Sequence, residues 1–240
     1  VREAIGGRLN HLPQNVNDSL TFAAVIGHEF GIRELQVVIE QDDPATLLDE
    51  MDQSVLSGMI EEVEGSPGRY RFVHLLTQQV LADQLSQTRR TILHSEIGAA
   101  LEELYGINVV PHAAELARHF AEAAPIIGPE KQIHYSVLAG EHALSTYAYE
   151  EALQHYQTAF DIKSTQTSLS NATRIDDTMQ IDQHTADILF GLGRSQRATA
   201  TYQMHEAWLS LSKAFDYNVE AGDIPQVVDV AEHLPVTEHL

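Results

Sequence analysis

Cysteine is absent from this chain, which removes disulfide frameworks and thiolate metal sites and makes the cytosol the expected compartment. Cations are scarce as well. Lys plus Arg number 14 against 35 Asp plus Glu, a formal charge of −21, and such a field repels nucleic acid and anionic lipid unless basic residues cluster. No basic run exceeds Arg89-Arg90. No apolar stretch approaches the ~20 residues that span a bilayer, so no membrane partner is expected. Neither G-x-x-x-x-G-K-[ST] nor G-x-G-x-x-G occurs, so the chain has no Walker loop of its own to cradle a triphosphate. A paired nucleophile and base is also missing, and Glu61-Glu62 belong to a solvated hairpin, so no catalytic residue is assigned. The 13 histidines, including His112 with His119 and His134 with His142, lack H-E-x-x-H spacing, and no metal site is expected. The chain opens on Val1 with helical-looking sequence and no signal-type segment, which suggests a piece of a longer protein.

What is present is a globular composition, 43% hydrophobic over 240 residues, enough for one large domain or two small ones. Val1, Ile5, Leu9 and Leu12 form a helical stripe ended by Pro13. Leu20, Ala23, Ala24 and Ile26 mark a second helix closed by Gly27, and Ile32 to Ile39 a third. Asp42 or Asp43 caps a fourth, with Pro44 in its first turn and Leu47, Leu48, Met51 and Leu56 along it. Met59–Glu64 and Arg69–Val73 flank Gly65-Ser66-Pro67-Gly68, the pattern of a β-hairpin. Helices followed by a hairpin spell a winged helix over residues 1–85.

The hairpin's end is the most informative junction. Tyr70 and Phe72 alternate with Arg69 and Arg71 at strand period, whereas Leu76, Val80 and Leu81 fall at helix period. His74 sits where one becomes the other, and a helix N-terminus offers free N–H groups and a positive dipole end to anions. His74, with Arg71, is therefore the candidate anion site. DNA is a poorer ligand, because the helix matching a recognition helix carries Asp43, Asp49, Glu50 and Asp52 and no Lys or Arg.

Residues 86–129 read as a helical connector: Ser86 caps a helix with Leu93, Ile97, Ala100, Leu101 and Leu104 on one face, and Gly106 ends it. Pro111 starts another, through Phe120, before a loop from Pro125 to Pro129. Residues 130–240 read as helical hairpin repeats. Gly140, Ala152, Tyr156 and Ala159 reproduce the tetratricopeptide order of a glycine that lets helices approach and small residues around a large one. Gly193, Ala207, Leu211 and Ala214 match less closely, with two extra residues in the turn. A polar stretch near 163–183 reads as an insertion, and Pro225–Leu234 as the start of a third unit. Tyr149, Phe160, Trp208 and Phe215 are assigned to the repeat core.

In this order, VREAIGGRLNHLP, FAAVIGHEF, LLDEMDQSVLSGMIEE, RYRFVHLL, EIGAALEELYG, AELARHFAEAA and AYEEALQHYQTAF resemble the region after the nucleotide-binding core of signal-transduction ATPases with numerous domains. That family includes large LuxR-type regulators and AAA-type ATPases fused to adenylate or guanylate cyclase domains. The resemblance implies an ATP- or ADP-binding P-loop module upstream, a winged helix whose junction histidine, His74 by motif position, contacts nucleotide phosphate, and repeats that hold a protein partner. The expected fold is therefore mainly α, a winged-helix unit followed by a tetratricopeptide-like solenoid. The expected role is regulatory, with no enzyme activity, cofactor or nucleic acid in this segment. The alternatives are a freestanding scaffold with no nucleotide role and a winged-helix transcription regulator.

Overall fold

Short alternating runs bounded by glycine make the strands here, and longer stripes with capping residues make the helices. The computed structural model describes residues 7–9, 11–166, 181–199 and 204–234. It is mainly helical with a three-stranded antiparallel sheet. The chain divides into two compact units, one drawn from Val1–Gly106 and His119–Gly128, the other from Ile107–Arg118 and Pro129–Leu240. Residues 86–129, expected as one connector, are thus shared between the two.

In the first unit, Val1 and Ile5 of the expected first stripe lie outside the described residues, and Leu9 is buried. Helix α1 (Gln14–Ile26) buries Val16, Leu20, Ala23, Ala24, Val25 and Ile26. Strand β1 (Glu29–Gly31) follows, then α2 (Ile32–Val38), where the Gly31 N–H donates to Glu34 Oε2 at 2.7 Å. Helix α3 (Pro44–Leu56) is capped by Asp43, which accepts from the Ala45 N–H and the Thr46 hydroxyl. Strands β2 (Ile60–Glu62) and β3 (Arg69–Phe72) form the expected hairpin, with Gly65 and Gly68 at φ 77° and 78° supplying the left-handed turn. The sheet order is β1-β3-β2. β1 was not anticipated: three residues are too few to show a period, and they form a strand because β3 offers them a partner edge. That pairing places Phe30 against Tyr70 and Phe72, with ring centroids 5.9 and 5.8 Å apart. Burying each such ring contributes roughly 1.5–3 kcal/mol.

Helix α4 (Leu75–Ala82) and α5 (Gln87–Tyr105) complete that part of the unit. Ser86 caps α5 by accepting from the Arg89 N–H, and Gly106 (φ 48°) ends it. After the turn Val110–His112, α6 runs Ala113–Ile127. The loop expected from Pro125 is instead helical through Ile127. Pro125 forfeits only one bond near the end of the helix, and the Gly128 N–H closes it on the Ala124 carbonyl at 3.0 Å with φ 83°. Gly98 faces Phe120 so closely that a Cβ there would lie 2.8 Å from the ring.

The second unit holds α7 (Glu130–Ser145) and α8 (Tyr149–Gln166), then α9 (Gln183–Thr199), α10 (Met204–Ala221) and α11 (Ile224–Ala231). Each packs on the next in chain order, and α7 also meets α9. Its core gathers Ile133, Ala152, Tyr156, Ala159, Ile188, Leu189, Leu192, Leu211, Ala214 and Val230. Of the expected insertion, residues 167–180 lie outside the described residues. At its two ends, Lys163 belongs to α8, and Asp182 caps α9 through the Thr185 N–H and hydroxyl, at 2.8 and 2.6 Å.

Candidate functional site

The junction at His74 takes the form the sequence foretells. Val73 N–H donates to the Met59 carbonyl, His74 is extended (φ −133°, ψ 128°), and its carbonyl accepts from Thr77 N–H at 2.8 Å. Its imidazole makes no capping bond and is exposed, flanked by exposed Val73 and Leu75. Buried Thr77 and Leu81, and a 2.9 Å bond from Gln78 Nε2 to the Ala24 carbonyl, anchor α4 so that the junction is held rigidly. Arg71 is placed differently. It stands opposite Glu29 on β1 and Glu61 on β2, and its Nε donates to Glu61 Oε1 at 2.6 Å. Its charge is answered by a carboxylate before any phosphate arrives.

The acidic helix α3 carries one surprise. Glu50, which the sequence pattern puts among exposed acids, is buried, accepting from Ser19 Oγ at 2.6 Å and Asn15 Nδ2 at 2.7 Å. Asp49 and Asp52 do face solvent, beside Leu48, Val55 and Leu56. That face has no cation with which to meet a phosphate backbone.

In the second unit the two sets of sequence-matched small residues take equivalent places. Ala152, Ala159, Ala207 and Ala214 have no solvent exposure. A Cβ at Gly140 would lie 2.7 Å from the Tyr156 ring, and one at Gly193 would lie 2.6 Å from Leu211. Each glycine therefore sets the approach of its two helices. Tyr156 also fills the space over Gly191, where a Cβ would meet the ring at 2.1 Å. Burial and the Glu141 carboxylate push the Tyr156 hydroxyl well above its ordinary range, Arg194 opposing.

Beside this core the structure assembles a groove whose two arginines are not adjacent in the sequence. Leu144, Tyr147 and Tyr149 from the α7–α8 turn, Arg194, Arg197 and Ala198 from α9, and Glu232 and His233 after α11 enclose about 430 Å³. Arg194 and Arg197 are three apart on α9 and so share a face. The Arg194 guanidinium lies 5.3 Å from the Phe190 ring, which stacks on His233 at 5.6 Å, and Arg197 Nη1 donates to the His233 carbonyl at 2.7 Å. Burial, then the charges of Arg194 and Arg197, lower the His233 pKa. Tyr147 is 77% exposed and holds a left-handed backbone, φ 63°, which is costly for a bulky residue. Its ring stands edge-on to Tyr149 at 6.2 Å. The only signal of this site in the sequence is two arginines at helical spacing in a chain poor in cations.

His119 pairs with His94, Nδ1 to Nδ1 at 3.0 Å, both rings buried. Among the described residues no group of three His, Asp or Glu could hold a metal, and no helix is long and apolar enough to cross a membrane. No family model, curated protein or solved structure matches the chain.

Proposed function

We propose that this chain is a regulatory, partner-binding segment of a multidomain signalling ATPase, in which a winged-helix unit reports nucleotide state to a tetratricopeptide-like array. The observation that carries the repeat half is the matched packing of Gly140 on Tyr156 and Gly193 on Leu211, each between buried alanines, in two successive helical hairpins. The order of sequence motifs supports placing a P-loop module upstream, in a cytoplasmic parent protein that binds ATP or ADP. The nucleotide-sensing role rests on His74 alone, because Arg71 is engaged by Glu61. A histidine N–H at a helix start donates to a phosphate oxygen, and losing it on nucleotide exchange would bias a two-state arrangement by roughly 1–3 kcal/mol. Release of bound ADP from the full-length parent tests this: His74→Ala should speed release several-fold, and unchanged release would remove the sensor role.

The engagement of Arg71 favours the second reading, a scaffold with no nucleotide role, and a parent sequence with no Walker loop would establish it. Direct DNA binding is disfavoured by the Asp49 and Asp52 face of α3. Tight, salt-dependent DNA affinity of this chain at physiological ionic strength would reverse that judgement.

A further inference from the structure

The groove between the α7–α8 turn and α9 has a chemistry that goes beyond a generic partner surface. Its guanidiniums are preorganised: Arg194 by Phe190, Arg197 by the His233 carbonyl. Neither makes an ion pair with a carboxylate among the described residues, although Glu232 lines the same groove. Lys163, by contrast, is bound to Asp182 at 2.8 Å. In a chain of formal charge −21, two neighbouring guanidiniums with no carboxylate ion pair among the described residues are a local concentration of positive charge, shared in this groove with Glu232. Tyr147 and Tyr149 line the same groove, and Tyr147 is exposed although its backbone is in the costly left-handed region.

We infer that this groove docks an acidic peptide segment of a partner protein, its Asp or Glu carboxylates taken by Arg194 and Arg197 and a neighbouring apolar side chain by Tyr147 and Tyr149. This deepens, and rests on, the partner-binding reading of the repeats. Charge complementarity selects the occupant. Planar guanidiniums match carboxylates two bonds at a time, and charge-assisted bonds of this kind are roughly twice as strong as neutral ones. The surrounding acidic field disfavours a polyanion such as nucleic acid, which carries a charge at every residue, whereas one or two carboxylates can sit on Arg194 and Arg197 and leave Glu232 at the rim unopposed by further negative charge. Phenol rings add a rigid amphipathic contact of the kind enriched at interfaces.

Fluorescence anisotropy on the full chain, with a labelled library of short peptides that pair Asp or Glu with Leu or Phe, tests the assignment. At least one acidic peptide should bind, its Asn/Gln counterpart should bind about tenfold more weakly, and the R194Q/R197Q variant should lose about tenfold or more in affinity. Because Arg197 also holds the His233 carbonyl, Tyr147→Ser is the second arm; its ring is exposed, so folding should survive while peptide affinity falls. No acidic peptide binding above its neutral counterpart would overturn the proposal, as would affinity unmoved by both variants. Displacement by an equal concentration of inorganic phosphate would overturn it too, reassigning the groove to a phosphate ligand. If the peptides fail while Gly191→Ala still destabilises the hairpins as described below, the ligand assignment falls alone and the repeat packing stands.

Discussion

Tyr156 occupies the space that a side chain on Gly191 would need: a Cβ there would lie 2.1 Å from the ring. The ring has no retreat, since Gly140 on α7 bounds its other side, where a Cβ would lie 2.7 Å away. One aromatic plate on α8 thereby fixes the distance of both neighbouring helices. Gly191→Ala should accordingly cost stability at the upper end of the ~1–3 kcal/mol typical of overpacking, and more than Gly140→Ala. Urea unfolding followed by the single tryptophan, Trp208 on α10, reads this unit directly. Adding Tyr156→Leu to Gly191→Ala should return part of the loss, because the two positions are in contact and their effects do not add. Strict additivity would mean that the ring does not set the spacing.

Lys163 on α8 and Asp182 at the start of α9 form an ion pair, Nζ to Oδ2 at 2.8 Å. Burial works against ionisation, yet hydrogen bonds from Lys163 and Thr185 and the Lys163 charge bring the Asp182 carboxyl down to about 2. A carboxylate depressed on folding adds stability above its unfolded pKa and loses it as pH falls toward the folded value. That loss should run from about pH 4 to about pH 2. Its side chain is 53% exposed, so screening reduces the pair's share to less than ~1 kcal/mol. Asp182→Asn should keep much of the cap and flatten this acid limb, whereas Asp182→Ala should cost a further ~1 kcal/mol at neutral pH. An unchanged acid limb in Asp182→Asn would show that the pair does not couple folding to protons.

Much of the architecture was legible because it is local. The Asp43 and Ser86 caps, the glycine turn of the hairpin and the 3.6-residue stripes all act within a few residues, and the sequence shows them as they stand. The close approach of Gly140 to Tyr156 was legible for a related reason: the two lie sixteen positions apart in one helical hairpin, a separation that its geometry fixes. What was hidden depends on distant pairing. β1 pairs because β3 has an open edge, the Glu50 carboxylate is satisfied because Ser19 and Asn15 on another helix donate to it, and His94 finds His119 from a separate helix. The groove was hidden for the same reason, since its tyrosines, arginines and histidine come from three places in the chain. Polar side chains at helical spacing carry no mark of whether a neighbour awaits them.

Acid should loosen the second unit through two histidines. Burial lowers the pKa of His155, with Glu151 opposing, and burial together with Arg194 and Arg197 lowers that of His233. Below their ordinary value of ~6.5 the unfolded chain therefore binds protons that the folded chain refuses. Stability falls as pH drops through that value and levels off below the folded values. Trp208-detected melting from about pH 7.5 to about pH 5.5 should show Tm declining, and His155→Gln should reduce the slope. A Tm that rises on acidification over this window, or a slope identical in the variant, would assign the effect elsewhere.

Glu50 poses a sharper question, because a buried carboxylate is costly unless its oxygens are satisfied. Here Ser19 satisfies one oxygen and Asn15 the other. Glu50→Gln keeps the shape and one acceptor, and the Ser19 hydroxyl can turn to accept from the new amide, so the loss should be at most ~1 kcal/mol. Glu50→Leu instead leaves the hydroxyl of buried Ser19 without its acceptor, at a cost of about 1–3 kcal/mol. Combining Glu50→Leu with Ser19→Ala removes donor and acceptor together and should recover most of that cost, since an apolar pair of similar shape carries no desolvation penalty. Amide exchange of α1 and α3 reads the affected helices. If Glu50→Leu alone leaves their protection unchanged, the carboxylate does not hold α3 on α1, and its burial must be explained by something other than these two bonds.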